Sequence, residues 1–448
     1  MAPLEYGFDA HNGPIQQGAL LSLLSNNLIL NHTVPYLSIS ALLNLSATSR
    51  SFRELTLETP SLFRHLDLTE VKTAQFEIDG IDHGGETWRN VQVDENLTED
   101  DFYSGPLRGI FSSLNRADIL KQVQTLVLDG LAVTAELVHD IIIDPSYNVR
   151  VLSLRDVKHL NERSLCGALS TACRRGRPPG TPRLKALYIF GPSEQKIASS
   201  TIIEQQGTAA APEPSNAAAI GTTWNERSQA VLTSLVAGDN VGQGDAWYAR
   251  RGKMVTRTIS EDWAATMLDC RGIIAFDAVL CKGPWHYNSP ALGKIDLGRI
   301  KSPFAPGTHR YAAAVYSLSG CEGCGTAPEG WTTWGETVDE DQGGELGAFP
   351  LLAPPPLHSS NVRVAMCPSG QSLNPSRYHG SWSKTKPSRF IARCYDCVRD
   401  RYCWSCHKWW CEDCYPGPPE PAPPMINSDL KVRADGTCGE CWANKANV

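Results

Sequence analysis

Val123-Gln124-Thr125-Leu126-Val127-Leu128 sets a spacing that returns at Val149-Arg150-Val151-Leu152-Ser153-Leu154 and again at Leu184-Lys185-Ala186-Leu187-Tyr188-Ile189. Each stretch is short, rich in branched residues and apolar at alternate positions, the pattern of a strand with one face turned inward. The first two are 26 residues apart and the last two 35. Helical stretches at Val133 to Asp144 and Asn161 to Arg174 separate them. A short strand followed by a helix at a period of about 20 to 29 is the leucine-rich-repeat signature, kept loosely here, in which each unit buries its apolar face only by stacking on the next. The longer second interval is taken up by Arg174 to Pro182, an exposed loop.

The 448 residues suffice for several domains, and a net charge of −7 spread over both signs carries no basic face for nucleic acid. Ala19 to Leu30 is apolar but broken by Ser22, Ser25, Asn26 and Asn27, and no run reaches the length of a membrane span. The expectation is a soluble intracellular protein, cytoplasmic or nuclear. In that reducing setting, fifteen cysteines read as metal ligands or buried thiols before disulfides.

Outward from the repeats, the chain divides by composition into an α+β or α/β multidomain layout. A helical domain covers 15–70, the repeat-like region 71–192, and a disordered insertion 193–223. An α/β continuation covers 224–336, with Ile273 to Leu280 its best strand. An acidic, Pro-rich linker covers 337–360 and a Cys-rich module 361–448. In the helical domain, leucines at helical spacing predict short helices broken by Pro35 and ended near Pro60, with Ser38 as an N-cap. So small a unit either leans on the rest of the chain as a cap or keeps an apolar face for a partner.

Five Cys-x-x-Cys pairs lie at 321/324, 394/397, 403/406, 411/414 and 438/441. Two thiolates three positions apart can share an ion, and two such pairs complete a closed tetrahedral site, structural because no position is left for water. The three pairs between 394 and 414 have only five and four residues between them, too little chain for neighbours to surround a common ion. A crossed pairing is therefore expected: Cys394, Cys397, Cys411 and Cys414 at one zinc, Cys403, Cys406, Cys438 and Cys441 at a second. A sequential pairing and a ligand role for His407 are the alternatives. A third site takes Cys321 and Cys324 with Cys367, and His358 or His379 as fourth ligand; Cys270 and Cys281 are alternatives that also read as buried thiols. The cofactor expectation is thus Zn2+, two or three ions, all structural. No nucleophile elbow, phosphate loop, dinucleotide fingerprint or His-Glu-x-x-His occurs, and the chain is expected to be non-catalytic.

Leu28-Ile29-Leu30, Pro35-Tyr36-Leu37, Ile39 through Leu55 (ISALLNLSATSRSFREL) and Pro60-Ser61-Leu62-Phe63 before His65-Leu66-Asp67-Leu68 together resemble an F-box. The Leu-Pro dipeptide that usually opens its first helix has no clear counterpart. The resemblance implies a substrate-recognition subunit of a cullin-RING ubiquitin ligase. Leu28, Leu30, Pro35, Leu37, Ile39, Leu42 and Leu43 would bind the ligase adaptor subunit, and downstream regions a protein target, with no nucleic-acid or membrane partner. The layout as a whole is similar to F-box proteins common in filamentous fungi. Separately, Arg401 through Tyr415 (RYCWSCHKWWCEDCY) is similar to ZZ-type and other cross-brace zinc fingers. That likeness leaves two alternatives: a ligase recruiting its conjugating enzyme through the tail, or a zinc-dependent peptide-binding module.

Overall fold

The strand spacing is realised as a ladder. A computed structural model describes residues 19–34, 37, 39–59, 62–75, 99–191, 251–295, 310–333, 389–418 and 430–446. Five parallel strands, β1 (His65–Asp67), β2 (Thr125–Val127), β3 (Val151–Ser153), β4 (Ala186–Tyr188) and β6 (Ala275–Phe276), form one sheet in that order. The register stacks Leu66, Leu126, Leu152, Leu187 and Phe276 into a single column. All five are almost fully buried. β1 adds a rung the repeat count had not included: Phe63, Leu66 and Leu68 keep the same spacing. It lies within residues 15–70 and joins the helical segment to the array.

Helices pack in a row along this sheet. They are α5 (Glu99–Arg116), α6 (Ala135–Ile143), α7 (Glu162–Ala172) and α8 (Glu261–Asp269), each against the next. Thr134 and Asn161 start α6 and α7 by accepting hydrogen bonds from the backbone N–H of Leu137 and Ser164, which satisfies donors that have no partner inside the helix. Polar groups that follow the strands are closed off internally. Asp129 accepts from Ser153 Oγ at 2.6 Å and from the backbone N–H and Nε of Arg155, each at 2.9 Å. The buried Asp277 carboxylate accepts from the N–H groups of Ile189, Phe190 and Gly191.

Four short helices precede the array: α1 (Ala19–Leu24), α2 (Asn27–Thr33), α3 (Ile39–Thr48) and α4 (Arg50–Glu58). Two of the breaks between them are made by caps, since the side chains of Asn26 and Ser49 accept from the N–H of Leu28 and Phe52. Pro35 and Ser38 lie outside the described residues, as do the insertion at 193–223, the linker at 337–360, and Cys367, His358 and His379.

The strand expected at Ile273 to Leu280 is realised in two parts. Its start is β6; its end, Leu280, bridges Ala313 antiparallel. That leads into a second, antiparallel sheet ordered β5 (Gly252–Lys253), β7 (Tyr316–Leu318), β9 (Arg389–Arg393), β8 (Thr332–Thr333). One apolar core runs without a break from Leu24 and Leu42 through the ladder to Trp409 and Cys438. The tail beyond β9 adds the one-turn α9 (Tyr395–Val398) and α10 (Gly439–Ala446). The molecule is thus a mixed α/β structure with a parallel sheet, its helices and a Cys-rich end. None of the described helices is long and apolar enough to cross a membrane.

Candidate metal centres

Three groups of four side chains converge among the described residues: Cys281, His286, Cys394 and Cys397; Cys321, Cys324, Cys411 and Cys414; Cys403, Cys406, Cys438 and Cys441. Within each, every ligand atom lies within 4.8 Å of every other.

The first group is positioned by sheet pairing. Cys281 donates its backbone N–H to Ala312 O at 2.7 Å, and Ala314 donates to Val279 O at the same length. β9 pairs with β7 so that Arg393 faces Tyr316, which brings Cys394, one residue on, beside Cys281. Cys394 is the N-cap of α9 and Cys397 lies on that turn. His286 Nε2 stands 3.4 Å from Cys394 Sγ and 3.3 Å from Cys397 Sγ. The other ring nitrogen, Nδ1, is 2.5 Å from Arg310 O. A proton on Nδ1 donated to that carbonyl leaves Nε2 as the free lone pair, the usual orienting bond of a ligating histidine.

The second group joins the turn after β7 to the turn after Trp409. Glu322 donates its N–H to Trp409 O at 2.9 Å, and Cys321 Sγ accepts from the N–H groups of Gly323 and Cys411 at 3.3 and 3.1 Å. In the third group Cys403 donates to Lys408 O, Trp404 donates to Gly436 O, and the N–H of Cys438 reaches Cys403 Sγ at 3.2 Å. Backbone N–H groups aimed at sulfur favour its thiolate form.

The distances fit an ion rather than disulfides. Sγ pairs Cys281–Cys397, Cys324–Cys411 and Cys406–Cys438 are each 3.7 Å apart. A disulfide needs about 2.05 Å, whereas a tetrahedron with metal–sulfur bonds of about 2.3 Å has edges of about 3.8 Å. The acid–base behaviour of the clustered side chains agrees. In the first, burial pushes Cys281 up but the hydrogen bonds of Cys394 and Cys397 hold it well below its ordinary value, while Cys397 is driven well above by burial and by Cys281. His286 rises to about 11, the penalty of its burial outweighed by the neighbouring Cys281. In the second, Cys321 is held low against burial by backbone N–H groups, while burial and the neighbouring sulfurs push Cys414 up to about 11. In the third, Cys403 is held at about 7 while Cys441 is pushed up to about 12 by the Cys406 and Cys438 thiols. One thiol ionises and its neighbours then cannot, because thiolates this close repel; a divalent cation removes that conflict.

Of the arrangements expected from spacing, Cys403, Cys406, Cys438 and Cys441 are brought together, but Cys394 and Cys397 do not meet Cys411 and Cys414. The first pair goes to Cys281 and His286, the second to Cys321 and Cys324. The cause is strand pairing: β7–β9 register fixes what lies beside Cys394, and the bond from Glu322 to Trp409 fixes what lies beside Cys411. Cys321 and Cys324 thus find their partners without Cys367. His407 is not in a cluster; its Nδ1 meets the Tyr402 hydroxyl. The Cys281-x4-His286 pair was the missing signal. Gly283 between them is its sequence clue, because a Cβ there would fall 2.5 Å from Cys397 Sγ.

Between the first two centres lies a buried ion network. Arg393 reaches both carboxylate oxygens of Glu329 at 2.7 Å and Glu412 Oε1 at 2.6 Å, with its guanidinium 4.7 Å from the Trp409 ring centre. Arg401 lies 3.6 Å from the same Glu412 oxygen and donates to Tyr415 O and Pro416 O. Two positive and two negative groups leave no net buried charge. Burial opposes the charge on Arg393, but Glu329 and Glu412 hold it well above its ordinary value.

At the other end of the molecule, the leucines singled out for a partner divide. Leu30 and Leu42 are core, and Leu37 and Ile39 pack partly against it. Leu28 and Leu43 are 71% and 51% exposed. Leu20, Leu23 and Leu57 are exposed as well. No protein-family model, curated protein or solved structure matches the chain.

Proposed function

We propose that this chain is a non-catalytic substrate-recognition subunit of a cullin-RING ubiquitin ligase. Its N-terminal helices dock on the ligase adaptor, and the rest of the chain serves as a rigid receptor for a protein target. The observation that carries this reading is the set of exposed leucines on α1 to α4, in the segment that resembles an F-box. α1, α2 and α3 each send a leucine into the core, Leu24, Leu30 and Leu42, and leave Leu20, Leu28 and Leu43 in water, available to a partner. The strand–helix array reads as leucine-rich-repeat-like, a scaffold whose stacked units hold a broad surface in fixed shape.

The three centres are read as zinc sites. Two sets of four sulfurs, and one of three sulfurs with an imidazole nitrogen, are each closed by four protein ligands. Such sets suit tetrahedral zinc and leave no open position for a substrate or water. The module's part is therefore structural. The interlocked use of three pairs against three different partners supports this over direct recruitment of a conjugating enzyme.

The test is a double substitution, Leu28→Glu with Leu43→Glu. Adaptor capture in a pull-down should be lost while the melting temperature stays within a few degrees, since both side chains are exposed. Undiminished capture overturns the F-box reading. Ubiquitin chains built by the purified protein with activating and conjugating enzymes alone would favour the ligase alternative.

A further inference from the structure

The three centres are unequal in their exposure. In the Cys281/His286/Cys394/Cys397 centre all four ligands are buried. In the other two, one cysteine of each is open to solvent, Cys324 and Cys406, and Cys414 and Cys441 are half-buried. The sulfur of each also lies 3.7 Å from that of a buried cysteine in its own centre, Cys324 from Cys411 and Cys406 from Cys438.

We infer that Cys324 and Cys406 are peroxide-sensitive sites through which the two outer metal ions are released, while the inner centre keeps its ion. This rests on the metal reading above. Metal-bound sulfur remains nucleophilic, and oxidation follows thiolate character together with access. The Cys324 sulfur attacks a peroxide oxygen; the O–O bond breaks, a sulfenic acid forms, and the departing hydroxide takes a proton from solvent to leave as water. The Cys411 sulfur then attacks the sulfenic sulfur. An S–S bond forms, the S–O bond breaks, and a second proton carries the oxygen away as water. Two thiolates have lost two electrons and one peroxide has become two waters. The ion has lost two of its four ligands and leaves. Cys406 and Cys438 repeat the sequence at the outermost centre. The inner centre offers peroxide no exposed sulfur.

The consequence is graded. Losing the outer ions frees the turn after β7 and the segment from Cys438 onward, while Cys281, His286, Cys394 and Cys397 keep β9 fastened to the array.

The experiment uses the full chain, reduced and loaded with zinc, with ion count read by native mass spectrometry and release by a chelating dye during peroxide treatment. Two ions should leave at least about tenfold faster than the third. Peptide mapping should then find Cys324–Cys411 and Cys406–Cys438 disulfides, and reduction in the presence of zinc should restore three ions. Release of all three together, release of none, or first disulfides at Cys281, Cys394 or Cys397 overturns the inference and leaves the metal reading standing. A loaded chain that holds no zinc at the outer centres overturns both.

Discussion

Gly283→Ala isolates the inner centre from everything else in the molecule. A methyl group there would lie 2.5 Å from Cys397 Sγ, 3.2 Å from its Cβ and 3.4 Å from Cys281 Sγ. Ordinary contact between such atoms is about 3.5–4.0 Å, so Cys397 or the 281–286 turn must retreat by about 1 Å. A metal site tolerates ligand displacements of only about 0.2 Å. Neither side can give way cheaply: Cys397 is fully buried on α9, and the turn is fixed by the bonds from His286 N–H to Gly283 O and from Asn288 Nδ2 to Cys281 O. Structural zinc contributes on the order of 10 kcal/mol in small modules, comparable with the whole stability of a domain, so even partial loss should be visible. The control is Gly293→Ala, whose φ of +72° carries a backbone cost but whose Cβ meets nothing within 4 Å. That change should cost about 1 kcal/mol and leave the ion count alone. Atomic spectroscopy on the purified chains should find two ions per chain for Gly283→Ala and three for Gly293→Ala, with the larger fall in melting temperature in the former. Three ions and an unchanged melt for Gly283→Ala would refute the assignment of Cys281 and Cys397 to one site.

Arg393→Met should cost about 3–5 kcal/mol in denaturant unfolding, because it leaves Glu329 buried without its cation and Glu412 with Arg401 alone; a loss below about 1 kcal/mol would show that the network is not desolvated as drawn. His65, held at about 4 by burial and the adjacent Arg64 against an ordinary 6.5, is kept neutral by the fold. The stability this carries is complete above pH 6.5 and is lost as pH falls toward 4, by up to about 3 kcal/mol. His65→Leu should flatten that part of the pH profile relative to the parent chain, and identical slopes would refute it.

The ladder was legible because its signal is local: Val123, Leu126 and Leu128 state their spacing within six residues, and Leu152 and Leu187 repeat it. β1 was hidden by context, since Phe63, Leu66 and Leu68 close a segment whose leucines read as helical. The metal ligands show the opposite limit. Cys-x-x-Cys spacing finds donors, because two sulfurs on one turn is a local property, and the third centre followed from chain length alone. Which pairs meet is a property of sheet register. Nothing within residues 394–414 encodes that β9 lies against β7, so nothing there could send Cys394 to Cys281, more than a hundred positions away. His286 was missed for the same reason: Cys-x4-His is too common a spacing to stand out until Cys394 and Cys397 are placed beside it.

Numbered along the chain, the six ligand pairs join first to third, second to fifth and fourth to sixth, so each centre crosses the next and the tail cannot be divided at will. Ending the chain after Tyr415 removes Cys438 and Cys441 alone. The third centre is lost, but the first two keep all eight ligands, Arg393 keeps Glu329 and Glu412, and two ions should remain. Ending it before β9 leaves Cys281 with His286 and Cys321 with Cys324, half a site each, and strips β7 and β8 of the strand between them. That chain should bind no ion tightly and should aggregate through its bared strand edges. Ion counts of two and zero, with a monomer only for the longer chain on size exclusion, are the expected outcome. A stable monomeric chain ending at residue 388 would show that the array closes its own end and that the metal tail is a separate unit.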